Sequence, residues 1–189
     1  ELKIDLKSSS IEIPNLNYKK KLNDSATLNF QLTDFKDKNF KFNLIEYKES
    51  DNLILIKDLD LNKKFEVNNF KKIVVKTTHM GSINNNCTIK KDKRIKIEGL
   101  LFDSRPLLNN LYKADKKKLL SKKFNGELRV NFDEILSQNK NDLSKFSMIS
   151  NIKNGEYIKM SAKGNFSDNE IIEASIYKID KDKKVTHII

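Results

Sequence analysis

The sequence predicts a mainly β chain, a long antiparallel meander forming a curved, groove-like sheet with one short helix near 104–113. Three observations carry this. Apolar and polar residues alternate with period two over most of the chain, and Asn, Asp and Gly break the alternation at short intervals. A single segment switches to helical spacing.

The strands follow in order. Leu2, Ile4 and Leu6 alternate with Lys3, Asp5 and Lys7, and Ile11 and Ile13 flank Glu12. Leu28, Phe30 and Leu32 alternate with Asn29, Gln31 and Thr33; Phe40, Phe42 and Leu44 alternate with Lys41, Asn43 and Ile45. Phe65 and Val67 flank Glu66, and Ile95 and Ile97 flank Lys96. Leu128, Val130 and Phe132 alternate with Arg129, Asn131 and Asp133. Ile158, Met160 and Ala162, and then Ile172, Ala174 and Ile176, repeat the pattern. Each run reads as a strand apolar on one face and wet on the other. The breaks, among them Asp37-Lys38-Asn39, Glu49-Ser50-Asp51-Asn52, Asn68-Asn69, Asn154-Gly155 and Ser167-Asp168-Asn169, carry turn residues, which tolerate positive φ. Short breaks between alternating runs make hairpins. One β-rich segment results: a β-meander over 1–90, then a strand–helix–strand portion over 91–189. The pattern fits either a closed sandwich or an open trough, and about 12 alternating strands favour a large curved sheet or an open barrel.

The helical segment follows Gly99-Leu100-Leu101-Phe102. Asp103 or Ser104 suits an N-cap, Pro106 suits the first turn, and Leu107, Leu108, Leu111 and Tyr112 share a helical face. A second, weaker helical turn is expected around Phe132–Leu136.

Composition bounds the function. The 189 residues are 38% hydrophobic and 33% charged, with a net charge of +11 and a single Cys. That excludes a disulfide framework and a collagen-like or Pro-rich chain. No apolar run approaches a transmembrane helix. The excess of Lys, Asn and Ile over Arg follows A/T-rich codon usage. Bidentate phosphate and guanine contacts rest on Arg, and only Arg94, Arg105 and Arg129 are present. No nucleic-acid partner is therefore expected. The densest basic run, Lys113-Ala114-Asp115-Lys116-Lys117-Lys118 with Lys122 and Lys123, reads as a solvated helix exit, with anionic lipid headgroups as the sharper alternative.

No catalytic constellation emerges. His79 and His187 have no partners at metal spacing, and the carboxylates of Asp58 and Asp60 read as the wet face of a strand. Asp133 and Glu134 point to opposite faces, and Cys87, beside Asn84-Asn85-Asn86, reads as a loop edge without a base. The chain is expected to be no enzyme and to hold no metal or cofactor.

One step carries a family resemblance. Gly99-Leu100-Leu101-Phe102-Asp103-Ser104-Arg105-Pro106-Leu107-Leu108 resembles the Gly-x-x-Phe-Asp-x-Arg-Pro-Leu-Leu step of the AsmA-like superfamily, in its YhdP/TamB-type periplasmic branch. Its motif residues are Gly99, Phe102, Asp103, Arg105, Pro106, Leu107 and Leu108. The compatible strand order spans about residues 90 to 189. The resemblance implies a repeating β-groove, anchored in the inner membrane through a segment outside this chain. Such a protein crosses the Gram-negative periplasm and carries phospholipid acyl chains to the outer membrane. The opening Glu1 fits an interior piece of such a protein. The expected groove lining is Leu28, Phe30, Leu32, Phe40, Phe42, Leu44, Leu128, Val130, Phe132, Ile158, Met160, Ile172 and Ile176. The alternatives are a non-catalytic structural β-domain of envelope assembly and a basic nucleic-acid-binding domain.

Overall fold

The computed structural model describes residues 1–34, 40–113, 124–138, 142–166, 170–178 and 184–188. Lys116, Lys117, Lys118, Lys122 and Lys123 of the basic run lie outside them, as do the turns at Asp37-Lys38-Asn39 and Ser167-Asp168-Asn169. The described chain is mainly β and mostly antiparallel with one short α-helix, the fold class that the alternation predicts. It divides into two compact units, Glu1–Lys91 and Asp92–Ile189.

In the first unit the strands are β1 (Leu2–Asp5), β2 (Ile11–Ile13), β3 (Tyr18–Lys20), β4 (Thr27–Asp34), β5 (Phe40–Glu49), β6 (Asn52–Leu61), β7 (Val67–Asn69), β8 (Lys72–His79) and β9 (Ser82–Lys91). Six of them form an antiparallel run in the order β1-β4-β5-β6-β8-β9, and β7 pairs on β6. Among the described strands β2 and β3 pair only with each other, across a 3₁₀ turn at Pro14–Leu16. The β8–β9 hairpin closes at Met80 and Gly81, both at positive φ (52° and 82°). A two-residue turn with both φ values positive matches the right-handed twist of its strands.

The second unit holds β10 (Ile95–Asp103), α1 (Arg105–Lys113), β11 (Gly126–Leu136), β12 (Leu143–Lys153), β13 (Glu156–Asn165), β14 (Ile171–Lys178) and β15 (Lys184–Ile188). From β11 to β15 every neighbour is antiparallel. Strands β10 and β11 are parallel, with Ile97 opposite Val130 and Gly99 opposite Phe132. This departs from a uniform antiparallel meander. A parallel pair needs a crossover of a dozen or more residues, and the segment containing α1 supplies it.

Several expectations fail for one physical reason: alternation is hard to read where a strand carries polar residues inward or apolar residues outward. Phe132–Leu136 belongs to β11 and is not helical. Cys87 is no loop residue; it is buried within β9. Strand β9 hides its period because Asn84 and Asn85 are buried polar residues. Strand β12 hides it because Ile149 faces out, half exposed, between inward Met148 and Ser150.

Candidate functional site

Cross-strand partners point to the same side of a sheet, so the registers assemble the apolar residues into rows. In the first unit one row is Leu28, Tyr47, Ile54, Val75 and Cys87. The next is Phe30, Ile45, Ile56, Ile73 and Ile89. On the far side of the first row lie Glu49 opposite Asn52 and Thr77 opposite Asn85, four buried polar side chains. The face thus runs from a polar margin through a covered apolar row to a half-open one.

The covering is the β2–β3 ribbon. Tyr18, Ala26 and Tyr47 form the core here, with Leu6, Ile11, Ile13, Leu16, Leu28 and Ile54 packed around them. Tyr47, Val75 and Cys87 are 6–8% exposed and Leu28 and Ile54 are half-buried, as is every residue of the Phe30–Ile89 row.

The polar margin grips the ribbon. The Tyr18 hydroxyl donates to the Glu49 carboxylate, so its 2.5 Å bond with Tyr47 must take the Tyr47 proton. Asn52 donates to the same Glu49 oxygen at 3.1 Å. Asn84 and Asn85 both donate to the Leu16 carbonyl, at 3.0 and 2.8 Å, and Thr77 bonds both amides. Burial raises the Tyr18 and Tyr47 hydroxyls above the usual phenol range, and for Tyr18 the bond to Glu49 adds to it.

Burial also pushes the Cys87 thiol from 9.0 up to about 11. The fold disfavours the thiolate, so this contribution to stability is complete below pH 9 and is lost as the pH rises through about 11. The two tyrosines act in the same direction above pH 10. The urea midpoint is expected to fall between pH 9 and 11, with Cys87 accounting for about 2 kcal/mol. A Cys87→Ala chain whose midpoint falls just as far removes this assignment.

In the second unit one row is Ile97, Val130, Met148, Ala162, Ala174 and Ile188. Beside it run Ile95, Leu128, Ser150, Met160 and Ile176 on one side, and Gly99, Phe132 and Phe146 on the other. Leu128, Val130 and Phe132 are buried, whereas Met148, Met160, Ala162, Ala174 and Ile176 are half-buried.

The expected lining therefore divides. Leu28 and Phe30 share one face, and Leu128, Val130, Phe132, Met160 and Ile176 share another, which Ile172 joins opposite Gly164. Ile158 sits at a β-bulge between Asn151 and Ile152, where it has no register partner. Leu44 pairs with polar Gln31 and Lys57, on the side opposite Phe30 and Ile45. Phe42 pairs with Leu32 and Leu59 and meets the Phe30 ring edge-on at 6.1 Å. Phe40 stacks on Phe65 at 4.9 Å, and Leu32 is exposed. An irregular pairing beside Gln31 and Leu32, with Asp58 opposite it at φ 50°, changes the phase here. Strict alternation missed Ile54, Ile56, Ile73, Val75 and Ile89. They sit in contiguous apolar runs, Leu53–Ile56 and Ile73–Val75, or beside the asparagines of β9.

The motif residues build a junction. Asp103 is fully buried, and its carboxylate takes the Arg105 Nε and Nη2 protons at 2.7 Å each and the Arg105 backbone N–H at 3.2 Å. This fork opens α1. Ser104 does not cap with its side chain; its hydroxyl and its N–H both bond the Leu136 carbonyl, at 2.8 and 3.0 Å. Phe102 stacks on Phe132 at 5.4 Å. Gly99 lies opposite Phe132 in the parallel register, Pro106 is in the first turn of α1, and Leu107 is exposed while Leu108 is half-buried.

On the wet face Arg94 and Arg129 both reach Glu127, at 3.4 and 2.5 Å, and these guanidinium groups hold its carboxyl below the usual range. With Arg105 on Asp103, each of the three arginines is engaged by a carboxylate. Among the described residues no three His, Cys, Asp or Glu side chains cluster as metal ligands, and no helix is long and apolar enough to cross a membrane. The chain matches no protein-family model, no curated protein and no solved structure.

Proposed function

We propose that this chain is a segment of an AsmA-like envelope protein that carries phospholipid acyl chains along a one-sided apolar β-face, in the periplasm between inner and outer membrane. The observation that carries the reading is the half-open row Phe30–Ile45–Ile56–Ile73–Ile89. Five strands give four steps of about 4.8 Å, roughly 19 Å in all. One leaflet of a bilayer is about 15 Å thick, half of its hydrocarbon core, so the row accommodates one tail laid across the strands. Burial of that tail is favourable by about 25 cal/mol per Å², with no catalytic group, metal or cofactor required. The motif from Gly99 to Leu108 supports the family assignment.

The test is photo-crosslinking in a Gram-negative envelope. A photoreactive residue at Ile56, Phe42 or Val130 is expected to capture phospholipid, and one at Lys57 or Asn131, on the wet face, is not. Protein adducts alone at all three apolar positions would overturn the proposal. They would favour the reading as a structural β-domain, for which the exposed Val185 and Ile188 of β15 offer a pairing edge.

A further inference from the structure

The β2–β3 ribbon is a self-contained excursion between β1 and β4. Its neck is closed by backbone bonds, Leu6 N–H to the Ala26 carbonyl and Asn23 N–H to the Lys7 carbonyl, both 2.9 Å. Within it Lys20 is wholly buried, and its ammonium donates to the carbonyls of Ser9 at 2.7 Å, Lys21 at 2.8 Å and Lys7 at 3.5 Å. Every one of those acceptors belongs to the excursion or its neck. The Ser10 hydroxyl adds a bond to the Lys20 carbonyl at 3.3 Å. The ribbon is therefore braced internally.

Its ties to the sheet below are of a different kind. No ladder joins β2 or β3 to another described strand. The polar ties include side-chain bonds: Tyr18 to Tyr47 and Glu49, and Asn84 and Asn85 to the carbonyls of Leu16 and Asn17. Apolar packing of Ile11, Ile13, Leu16 and Tyr18 adds to them. A braced body on a closed neck, held to the sheet by side-chain contacts without a backbone ladder, meets the physical description of a unit that opens below the global unfolding free energy.

We propose that residues 8–22 form a strap that lifts from the sheet as one body, uncovering the Leu28–Tyr47–Ile54–Val75–Cys87 row while the strands beneath stay paired. Tyr18 and the Asn84–Asn85 pair are its latch. Uncovering that row doubles the apolar rows available beside Phe30–Ile89. On the proposed lipid-carrying function, which this consequence rests on, the strap is an internal cover that a second acyl tail replaces. The hinge itself stands without that function.

The single cysteine reports on it. Cys87 lies on the covered row, two residues along the same face from Asn85. Maleimide labelling of the native chain is followed by mass over a urea series. The labelling rate is expected to rise with urea at well under half the slope of global unfolding, because a strap exposes far less surface than the whole sheet. Tyr18→Phe removes a bond that is lost both when the strap lifts and when the chain unfolds, and is expected to speed labelling about tenfold while the urea slope of labelling stays well below the global slope. Val75→Cys in a Cys87→Ala chain, a second reporter on β8, is expected to respond likewise. Labelling that follows the global urea slope at both positions overturns the strap. So does a Tyr18→Phe chain that labels no faster than the native one. Local opening without phospholipid adducts at Ile56 would retain the strap and remove the lipid.

Discussion

Replacing Phe132 by alanine is expected to cost about 3–5 kcal/mol, the largest single effect in this chain. The ring is 5% exposed. It stacks on Phe102 with centroids 5.4 Å apart and an interplanar angle of 26°. Its register neighbours are Gly99 on β10 and Phe146 on β12. Gly99 brings no side chain to fill the space an alanine would leave, so collapse around the cavity is incomplete and the cost falls in the upper part of the range. Phe132→Leu keeps most of the volume and is expected to cost less than half as much. Urea unfolding of the three chains reads both values. A loss below about 1 kcal/mol for the alanine would show that Phe132 does not anchor the parallel pair.

Asp103→Ala is expected to cost about 2–3 kcal/mol. The carboxylate is fully buried and holds both edges of the Arg105 fork together with the backbone N–H that begins α1. The guanidinium is 39% exposed, so water rehydrates it once its partner is gone, which keeps the loss below that of a fully buried ion pair. Arg105→Lys is expected to recover little, because a single ammonium cannot reproduce two parallel bonds. Asp103→Asn retains acceptor oxygen for the backbone N–H and is expected to fall between. The measurement is again the urea midpoint, with helical signal at 222 nm as a second readout. If Asp103→Ala and the native chain unfold together, the fork is dispensable and the motif owes nothing to the junction.

These two sites also show how far the sequence could be read. The strands β4, β5, β10, β11, β13 and β14 follow from period-two alternation. Helix α1 follows from an acceptor, a proline and a leucine face in the right order. The shared face of Leu128, Val130, Phe132, Met160 and Ile176 was legible for the same reason: they alternate without interruption, so their face follows from their parity. Leu44 was misplaced because one pairing irregularity beside Gln31 and Leu32 shifts the parity of everything after it. Ile158 sits at a bulge, so no register assigns it to a row. Neither event leaves a mark on the hydrophobic pattern, since a bulge changes the direction of a side chain without changing its identity.

Alternation by itself determined that this chain is mainly β, because a period of two in polarity has one geometric solution in an extended backbone. It could not determine which strands lie beside which. That β10 and β11 run parallel, that Glu49, Asn52, Thr77 and Asn85 form a buried polar margin, and that β2 and β3 leave the sheet to lie across its face are all decided by contacts between residues remote in sequence. The Asn84 to Leu16 bond spans 68 residues. Such pairings depend on chain closure and on the fit of whole surfaces, and no local pattern encodes them.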